Sequence, residues 1–287
     1  MAGNVIVTKT INEKIGFIGG GNMAKAICEG IIMKGLIKYS QVYVSGPNIE
    51  NLLWWQERGA HVSTENGKVV QNADIIFLSM KPHILPIAIA NVHATLNVPV
   101  KSKLFVSILA GIPLHQLENV LGPLEENARI VRVMPNTPML VGQGCTAFCP
   151  GAKATPHDVE IVKTIFGVSG VCKQVPESMI NAIGALAGSG PAFIYLIIEA
   201  LADAGVKQGI PRQMAIEMAA QTTLGAAKMV LDTGKHTAVL RDDVCSPGGT
   251  TITGIHALEA VGVRGALMNA VEAATKKSFE LAEKKNK

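Results

Sequence analysis

Short apolar runs alternate with helical patterns in the first part of the chain, and each run ends in a loop of glycine, proline and small polar residues. The runs lie at residues 14–19, 41–45, 74–79, 104–108 and 130–134, and helices are predicted at 22–34, 48–58 and 155–166. Continuous apolar runs of this length are typical of strands buried on both faces, as in parallel sheets covered by helices. The pattern therefore predicts a doubly wound α/β domain, with two further short strands at residues 146–148 and 171–175.

After residue 176 the pattern predicts only helices. They cover residues 178–186, 192–206, 212–231, 237–244, 251–261 and 264–283. Gly188-Ser189-Gly190-Pro191 is expected to separate the first of these helices from the second. The second is apolar on nearly every side, which is typical of a buried helix, and a small helical domain cannot bury it alone. We therefore expect an α/β domain at residues 1–176, and an all-α domain at residues 177–287 that packs against a second subunit.

Composition narrows the functional classes. The 287 residues are 48% hydrophobic and 17% charged, which indicates a globular protein with a large core or a buried interface. Only 4% are aromatic, and the net charge of +4 owes much to lysines near the C-terminus, so nucleic acid is not an expected partner. These lysines are Lys276, Lys277, Lys284, Lys285 and Lys287. No C-x-x-C or H-x-x-H pair occurs, so neither disulfides nor a metal site are predicted.

The cysteine pattern also favours a reducing compartment, so a cytoplasmic location is expected. Residues 1–12 lack the apolar core of a secretory signal and the arginines of a transit peptide. The richest apolar run, residues 193–202, is interrupted by Glu199 and is interpreted as too short to span a bilayer. No membrane partner is therefore expected, and association with a mitochondrion is left open.

A glycine-rich turn connects the first predicted strand to the first predicted helix. It reads Gly19-Gly20-Gly21-Asn22-Met23-Ala24, a G-x-G-x-x-A pattern. A strand before it and a helix after it are the context of a dinucleotide-binding fingerprint. In such a turn the first glycine allows the bend, the next lets pyrophosphate approach the backbone, and the alanine lets helix and strand pack closely. The first five residues of this turn are therefore predicted to bind a dinucleotide cofactor.

Other predicted cofactor residues follow later strands, because the carboxyl ends of parallel strands line the ligand crevice. They are Ser79, Met80, Lys81, Pro82, Ala110, Asn136 and Thr137. The second strand ends at Ser45, and no acidic residue follows until Glu50. A carboxylate at this strand end would hold the ribose of NAD and repel a 2′-phosphate. Its absence favours NADP(H), although no lysine or arginine stands at the turn, and NAD(H) is left open.

A second candidate site precedes the helix predicted at residues 251–261. Its sequence is Ser246-Pro247-Gly248-Gly249-Thr250-Thr251. Glycines let a ligand approach the backbone, and the unpaired N–H groups of a helix start favour an anion. The alternative is an ordinary helix cap by a threonine after a proline-glycine turn.

The catalytic chemistry is narrowed by what the sequence lacks. It has no G-x-S-x-G elbow, and His83 and His256 are the histidines nearest to a candidate motif. Without a clear general base, reduction of an activated carbon such as an imine is favoured over alcohol oxidation.

Together these motifs resemble the pyrroline-5-carboxylate reductase family over nearly the whole chain. The residues that show it are Gly16-Phe17-Ile18-Gly19, Gly21-Asn22-Met23-Ala24, Lys81-Pro82, Val133-Met134-Pro135-Asn136-Thr137-Pro138, Gly188-Ser189-Gly190-Pro191-Ala192-Phe193, Leu240-Arg241-Asp242-Asp243 and the hexapeptide above. The resemblance implies reduction of L-1-pyrroline-5-carboxylate to L-proline with NADP(H) or NAD(H). It also implies a homodimer of interlocked helical domains, dimers that assemble into decamers, and a substrate beside the nicotinamide at the dimer interface.

The resemblance also implies roles for individual residues. Thr251 is implied as the catalytic donor to the ring nitrogen. The substrate-binding residues implied are Glu177, Ser246, Gly248, Gly249, Thr250 and Thr251. Asn66 matches a position at the adenine ribose, and Asp243 stands near the cofactor where relatives often have a neutral amide. Gly46 stands where many relatives place a second serine for the 2′-phosphate.

Two other protein classes would share part of this sequence pattern. The β-hydroxyacid dehydrogenases also join a dinucleotide domain to a helical domain, but they use a lysine and an asparagine on one helix. No lysine occurs in residues 182–201, which argues against them. A nucleotide-sensing protein that lost its chemistry is the second alternative, and the intact hexapeptide argues against it.

Overall fold

The structure is a computed structural model that describes residues 10–283. Most of the N-terminal segment assessed for targeting signals, and Lys284, Lys285 and Lys287, lie outside these residues. Within the described chain, one compact unit runs to Gly188 and resumes at Thr275, and a second unit comprises Ser189–Ala274. We refer to them as unit 1 and unit 2. The domain boundary predicted at residue 176 lies before this division, and one continuous helix, Glu177–Lys207, runs across it.

Unit 1 is built on an eight-stranded sheet with the order β3-β2-β1-β4-β5-β6-β7-β8. The strands are β1 Ile15–Ile18, β2 Val42–Ser45, β3 His61–Ser63, β4 Ile75–Leu78, β5 Leu104–Ser107, β6 Arg129–Met134, β7 Gly144–Pro150 and β8 Gly170–Gln174. Strands β1 to β6 are parallel, which confirms the predicted Rossmann-type sheet. Strand β7 runs antiparallel to β6 and parallel to β8, an arrangement that the apolar pattern did not predict.

Helices cover both faces of this sheet. They are α1 Asn22–Met33, α2 Leu53–Gln56, α3 Asn66–Asn72, α4 Leu85–Thr95, α5 Leu114–Leu121, α6 Pro156–Gly167 and α7 Glu177–Ile183. On one face Phe17 stacks on Phe77, and Trp55 and Phe166 extend this aromatic cluster. Strands β1, β4 and β5 are buried along their whole length, which explains their uninterrupted apolar sequences.

Four elements of unit 1 were not predicted, namely β3 and the helices α3, α4 and α5. Strand β3 has only three residues, and His61 at its start is exposed, so it contains no apolar run. It extends the parallel sheet at one edge by pairing with β2.

The predicted break at Gly188-Ser189-Gly190-Pro191 is wrong. Helix α7 continues through a π-helical turn, Gly184–Ser189, into α8, Gly190–Lys207. The continuous helix, which includes the apolar run at residues 193–202, is by length and composition apolar enough to cross a membrane. Length and composition do not distinguish a membrane span from a helix that another subunit covers.

Unit 2 is entirely helical. It contains α8, α9 Arg212–Thr233, α10 Thr237–Asp243, α11 Thr250–Ala260 and most of α12 Val263–Glu283. Its buried apolar core consists of Ala202, Ala215 and Ala219. Helix α8, which the sequence predicts to be buried, is mostly exposed in the single chain, and Leu196 is 65% exposed. Its apolar surface therefore needs cover from outside the chain.

Candidate active site

The turn after β1 is fixed by packing at two of its three glycines. Gly19 has φ +102°, and a Cβ atom there would lie 2.8 Å from the Met80 nitrogen. A Cβ atom on Gly20 would lie 2.7 Å from the Trp55 Nε1 atom. The Trp55 indole N–H also donates to the Gly20 carbonyl at 3.0 Å. These two glycines are therefore required by the protein itself, because any side chain would collide with the strand end or with α2.

Gly21, the third glycine, faces open space. A Cβ atom there would meet no protein atom within 4 Å. Gly21 is also the N-cap of α1, and the helix start has no side-chain cap. The N–H groups of Asn22 and Met23 lie in this first turn, where no intrahelical acceptor is available. The turn thus offers a helix N-terminus with room for a phosphate, which fits the pyrophosphate of a dinucleotide.

The end of β2 contains a buried hydroxyl. Ser45 is fully buried, and its Oγ atom has no hydrogen-bond partner among the described residues. Its carbonyl accepts from the Gly19 N–H at 2.9 Å, so Ser45 adjoins the glycine turn. An unsatisfied buried hydroxyl is unfavourable. A polar ligand group at this strand end would supply the missing partner.

The predicted residues after β4, β5 and β6 follow neighbouring strands at one edge of the sheet. Lys81, Ala110 and Thr137 are all exposed there. Ser79 is directed back to the glycine turn, where its hydroxyl donates to the Gly19 carbonyl at 2.7 Å. Met80 is half-buried, and Pro82 begins a short 3₁₀ helix, Pro82–Ile84. Parallel strands thus bring these loops to the edge that also has the turn, as expected.

Two predicted cofactor residues already have partners within unit 1. The Asn66 Nδ2 group donates to the Ala88 carbonyl at 3.0 Å. The Asn136 Nδ2 group donates to the Ala187 carbonyl at 3.0 Å, and its Oδ1 atom accepts from the Cys145 N–H at 2.8 Å. Cofactor contacts of these side chains stay predictions.

The hexapeptide of unit 2 forms a turn that leads directly into α11. Gly248 has φ +65°, and the N-cap of α11 is Gly249, without a side-chain cap. The Gly249 N–H donates to the Ser246 carbonyl at 3.0 Å. Thr250 and Thr251 are exposed in the first turn. The alternative of a threonine cap is wrong, because glycine occupies the cap position and the first-turn N–H groups stay available to an anion.

Comparisons with known proteins identify the family. Residues 177–281 match the family described as pyrroline-5-carboxylate reductase dimerisation, and residues 14–111 match one described as coenzyme F420-dependent NADP oxidoreductase. The pyrroline-5-carboxylate reductase of Methanosarcina acetivorans is 44% identical over 95% of this chain and 99% of its own length. That of Arabidopsis thaliana is 42% identical over 94% of this chain and 96% of its own length. The chain belongs to the pyrroline-5-carboxylate reductase family.

Solved structures agree with the family. A crystal structure of Plasmodium falciparum pyrroline carboxylate reductase with NADP bound superposes with a TM-score of 0.84 and 34% identity. It covers 95% of this chain and 99% of the other. Family membership removes the β-hydroxyacid dehydrogenase interpretation.

The sequence reasoning missed an ion pair between a buried arginine, Arg132, and the half-buried Glu177. Arg132 is 3% exposed, and its Nη1 group lies 2.9 Å from the Glu177 Oε1 atom. The same carboxylate oxygen accepts from the Leu114 N–H at 2.7 Å, and Arg132 Nη2 donates to Asn181 Oδ1 at 2.9 Å. An arginine inside an apolar strand was the available signal, because a buried charge requires a partner. The substrate contact implied for Glu177 stays a prediction.

Asp243, at the end of α10, has a partner that the sequence reasoning did not assign. Its carboxylate lies 3.2 Å from the Lys235 Nζ atom, and both side chains are exposed. The negative charge of Asp243 is therefore partly neutralised by a lysine close to it.

Two of the cysteines lie in surroundings that disfavour a thiolate. Burial raises the pKa of Cys28 to about 12 and that of Cys172 to about 11, so neither is a thiolate at neutral pH. Residues 10–283 also contain no group of three or more histidine, cysteine, aspartate or glutamate side chains that could hold a metal ion.

Proposed function

We propose that this protein reduces L-1-pyrroline-5-carboxylate to L-proline with a hydride from NAD(P)H. The observation that supports this most directly is the uncapped start of α11 behind the left-handed Gly248. A helix N-terminus of this kind suits the carboxylate of a small imine acid. An imine also needs no general base for its reduction, in accord with the lack of one among the motif residues.

The substrate is held through its carboxylate and its ring nitrogen. The first-turn N–H groups of α11 and the hydroxyls of Ser246 and Thr250 bind the carboxylate, with Gly248 and Gly249 shaping the turn. The Thr251 hydroxyl donates to the ring nitrogen and acts as the catalytic residue. A positioned donor that interacts with developing charge lowers the barrier without reorganisation during the reaction.

The cofactor, when bound, supplies the hydride. Gly21 and the first turn of α1 receive its pyrophosphate, because that turn is open and uncapped. Ser45, Lys81 and Thr137 complete the cofactor site at the same sheet edge. NADP(H) is preferred, since the end of β2 has no carboxylate to repel a 2′-phosphate, and NAD(H) also serves.

The protein acts as a homodimer through its helical domain, and the dimers assemble further into decamers. The exposed apolar surface of α8 supports association, because a surface of this kind marks an interface. We place the enzyme in the cytoplasm, with neither nucleic acid nor membrane as a partner.

The deciding experiment follows nicotinamide oxidation with L-1-pyrroline-5-carboxylate, using NADPH and NADH in turn. We expect turnover with both and a higher kcat/KM with NADPH. Ser246→Ala should raise KM for the imine acid more than it lowers kcat, because it removes one carboxylate contact. An unchanged KM would place the carboxylate elsewhere. Cofactor binding without turnover would instead support a nucleotide sensor.

A further inference from the structure

One face of β6 contacts the long helix at several successive positions. Every second side chain of an extended backbone lies on the same face, so residues 132, 134 and 136 share one. Arg132 bonds to Glu177 and Asn181 near the start of the helix. A Cβ atom on Gly184 would lie only 3.2 Å from the Met134 Cε atom, which shows how closely this turn approaches the strand.

Asn136 completes this series at the π-helical turn. Its Nδ2 group donates to the carbonyl of Ala187, which lies within the turn. In an α-helix that carbonyl would accept from the N–H of residue 191, but residue 191 is proline and has none. A proline ring also crowds the carbonyl four residues before it. The wider π turn and the Asn136 amide together explain how the helix passes Pro191 without a break.

The Asn136 side chain uses both ends of its amide. The Oδ1 atom accepts from the Cys145 N–H at the start of β7 while the Nδ2 group donates to Ala187. Only an amide supplies an acceptor and a donor in this way at this length. The side chain is 7% exposed, so losing either bond leaves a buried polar group unpaired.

We propose that Asn136 is a positioning residue for hydride transfer, acting through the π turn and not through its side chain on the cofactor. It sits where β6 ends, at the sheet edge assigned to the cofactor, and it fixes the segment through which the chain leaves unit 1. π turns inside α-helices occur frequently at functional sites. The proposal rests on the proposed reductase function.

The test compares the same chemical change at two buried asparagines, Asn136→Asp and Asn181→Asp. They are 7% and 8% exposed, and each forms a hydrogen bond between the β6 segment and the long helix: Asn136 from the end of β6 to Ala187, and Asn181 from the helix to Arg132 on β6. Asn136→Asp loses the donor to Ala187, whereas Asn181→Asp keeps the acceptor that Arg132 needs. We expect Asn136→Asp to lower kcat by about 10- to 100-fold, as small misplacements do. The NADPH Kd should stay within about twofold, and Asn181→Asp should keep kcat within about twofold.

Hydrogen exchange supplies a readout that does not depend on turnover. Amides of residues 184–190 should exchange faster in Asn136→Asp and not in Asn181→Asp, because only the former loses its bond to the turn. If the wild-type protein fails to turn over the imine acid, the proposed function is rejected. The exchange difference still tests whether Asn136 holds the π turn through its bond to Ala187. Equal exchange in both variants would overturn it.

Other outcomes would also overturn the proposal. A tenfold rise in the NADPH Kd with kcat unchanged would make Asn136 a cofactor ligand. An equal loss of kcat in both variants would reduce its role to general stability. Should Asn136→Asp fail to fold, Pro191→Ala replaces it, because it gives Ala187 a competing backbone donor. We expect Pro191→Ala to lower kcat at unchanged NADPH Kd, and an unchanged kcat would reject the proposal.

Discussion

The two helix starts that we assign to anions are built in opposite ways. Both α1 and α11 begin at a glycine without a side-chain cap, and each turn includes a glycine with positive φ. In unit 1 the turn is held by neighbours, since Gly19 and Gly20 lie against β4 and α2. In unit 2 a Cβ atom on Gly248 would meet nothing within 4 Å, and the atoms nearest to a Cβ atom on Gly249 belong to Ser246 of the same turn. The turn before α1 is therefore held by other elements of unit 1, whereas the close neighbours in the turn before α11 come from that turn itself.

This difference follows from where each unit finds its core. Unit 1 buries complete strands and large aromatic side chains, whereas the buried core of unit 2 consists of three alanines. Exposed apolar side chains on α8 and α9 include Leu196, Leu201 and Met218. The family match for residues 177–281 is to a dimerisation domain. A single chain therefore completes the core of unit 1, whereas the exposed apolar surface of unit 2 is suited to contact with a second chain.

The largest effect is expected from charging the apolar surface of unit 2. Leu196→Glu should dissociate the oligomer and lower activity by about 100-fold or more, because a carboxylate would be buried unpaired at the interface. Sedimentation velocity and the NADPH assay measure the two effects. Met33→Glu is the control in unit 1, since Met33 is 83% exposed on α1. If both variants dissociated equally, the contrast between the units would fail.

The second largest effect is expected from removing the proposed catalytic donor, Thr251. Thr251→Ala should lower kcat by about 10- to 1,000-fold, as expected for one positioned donor. Thr253→Ala is a matched control on the same helix, because its hydroxyl already donates to the Gly249 carbonyl at 3.1 Å. In steady-state kinetics with the imine acid, the kcat of Thr253→Ala should stay within about threefold of the wild-type value. Full activity in Thr251→Ala would remove this residue from the mechanism.

Substitutions at two glycines of the turn after β1 should affect different properties, cofactor binding at Gly21 and stability at Gly20. Gly21→Ala places a methyl group where the pyrophosphate approaches and should raise the NADPH Kd by about tenfold or more. Its free energy of unfolding should fall by about 1 kcal/mol or less. Gly20→Ala should instead destabilise by about 1–3 kcal/mol, because its methyl meets Trp55 and Leu52. Thermal unfolding and NADPH titration of both variants distinguish the two effects, and the reverse pattern would contradict the assignment.

The smallest effect is expected at the end of α10. Asp243→Asn removes a negative charge that the family resemblance implies to be near the cofactor, and it should strengthen NADPH binding by about two- to threefold at low salt. The gain should disappear at high salt, since both Asp243 and Lys235 are exposed. Asp232→Asn, which breaks an exposed ion pair with Lys228 on α9, serves as the control. Equal changes in both variants would indicate only a general effect of net charge.

The sheet was predicted well because its strands are buried on both faces. Strands β1, β4 and β5 are apolar along their length, so periodicity alone located them. The direction of β7 could not be predicted, because parallel and antiparallel neighbours place the same demand on its apolar residues. The continuous helix past Pro191 was missed for a related reason, since the amide that supports it comes from residue 136.

The candidate site likewise has parts that the sequence predicts and parts that it does not. Contiguous motifs, such as the glycine turn and the hexapeptide, were predicted because all their chemistry lies within a few residues of sequence. Long-range pairs were not, because Arg132 and Glu177 meet only through the placement of β6 beside α7. The roles implied for Asn66 and Glu177 are still predictions, and their side chains are already used inside unit 1.

The Trp55 indole, which donates to the glycine turn, also provides an intrinsic fluorescence signal at the proposed cofactor site. The chain has two tryptophans, and they are neighbours, Trp54 and Trp55, on α2. All of its tryptophan fluorescence therefore originates beside the proposed pyrophosphate cradle. Reduced nicotinamide absorbs where indole emits, so occupancy of this unit is readable as quenching, without a label and before any substrate is added.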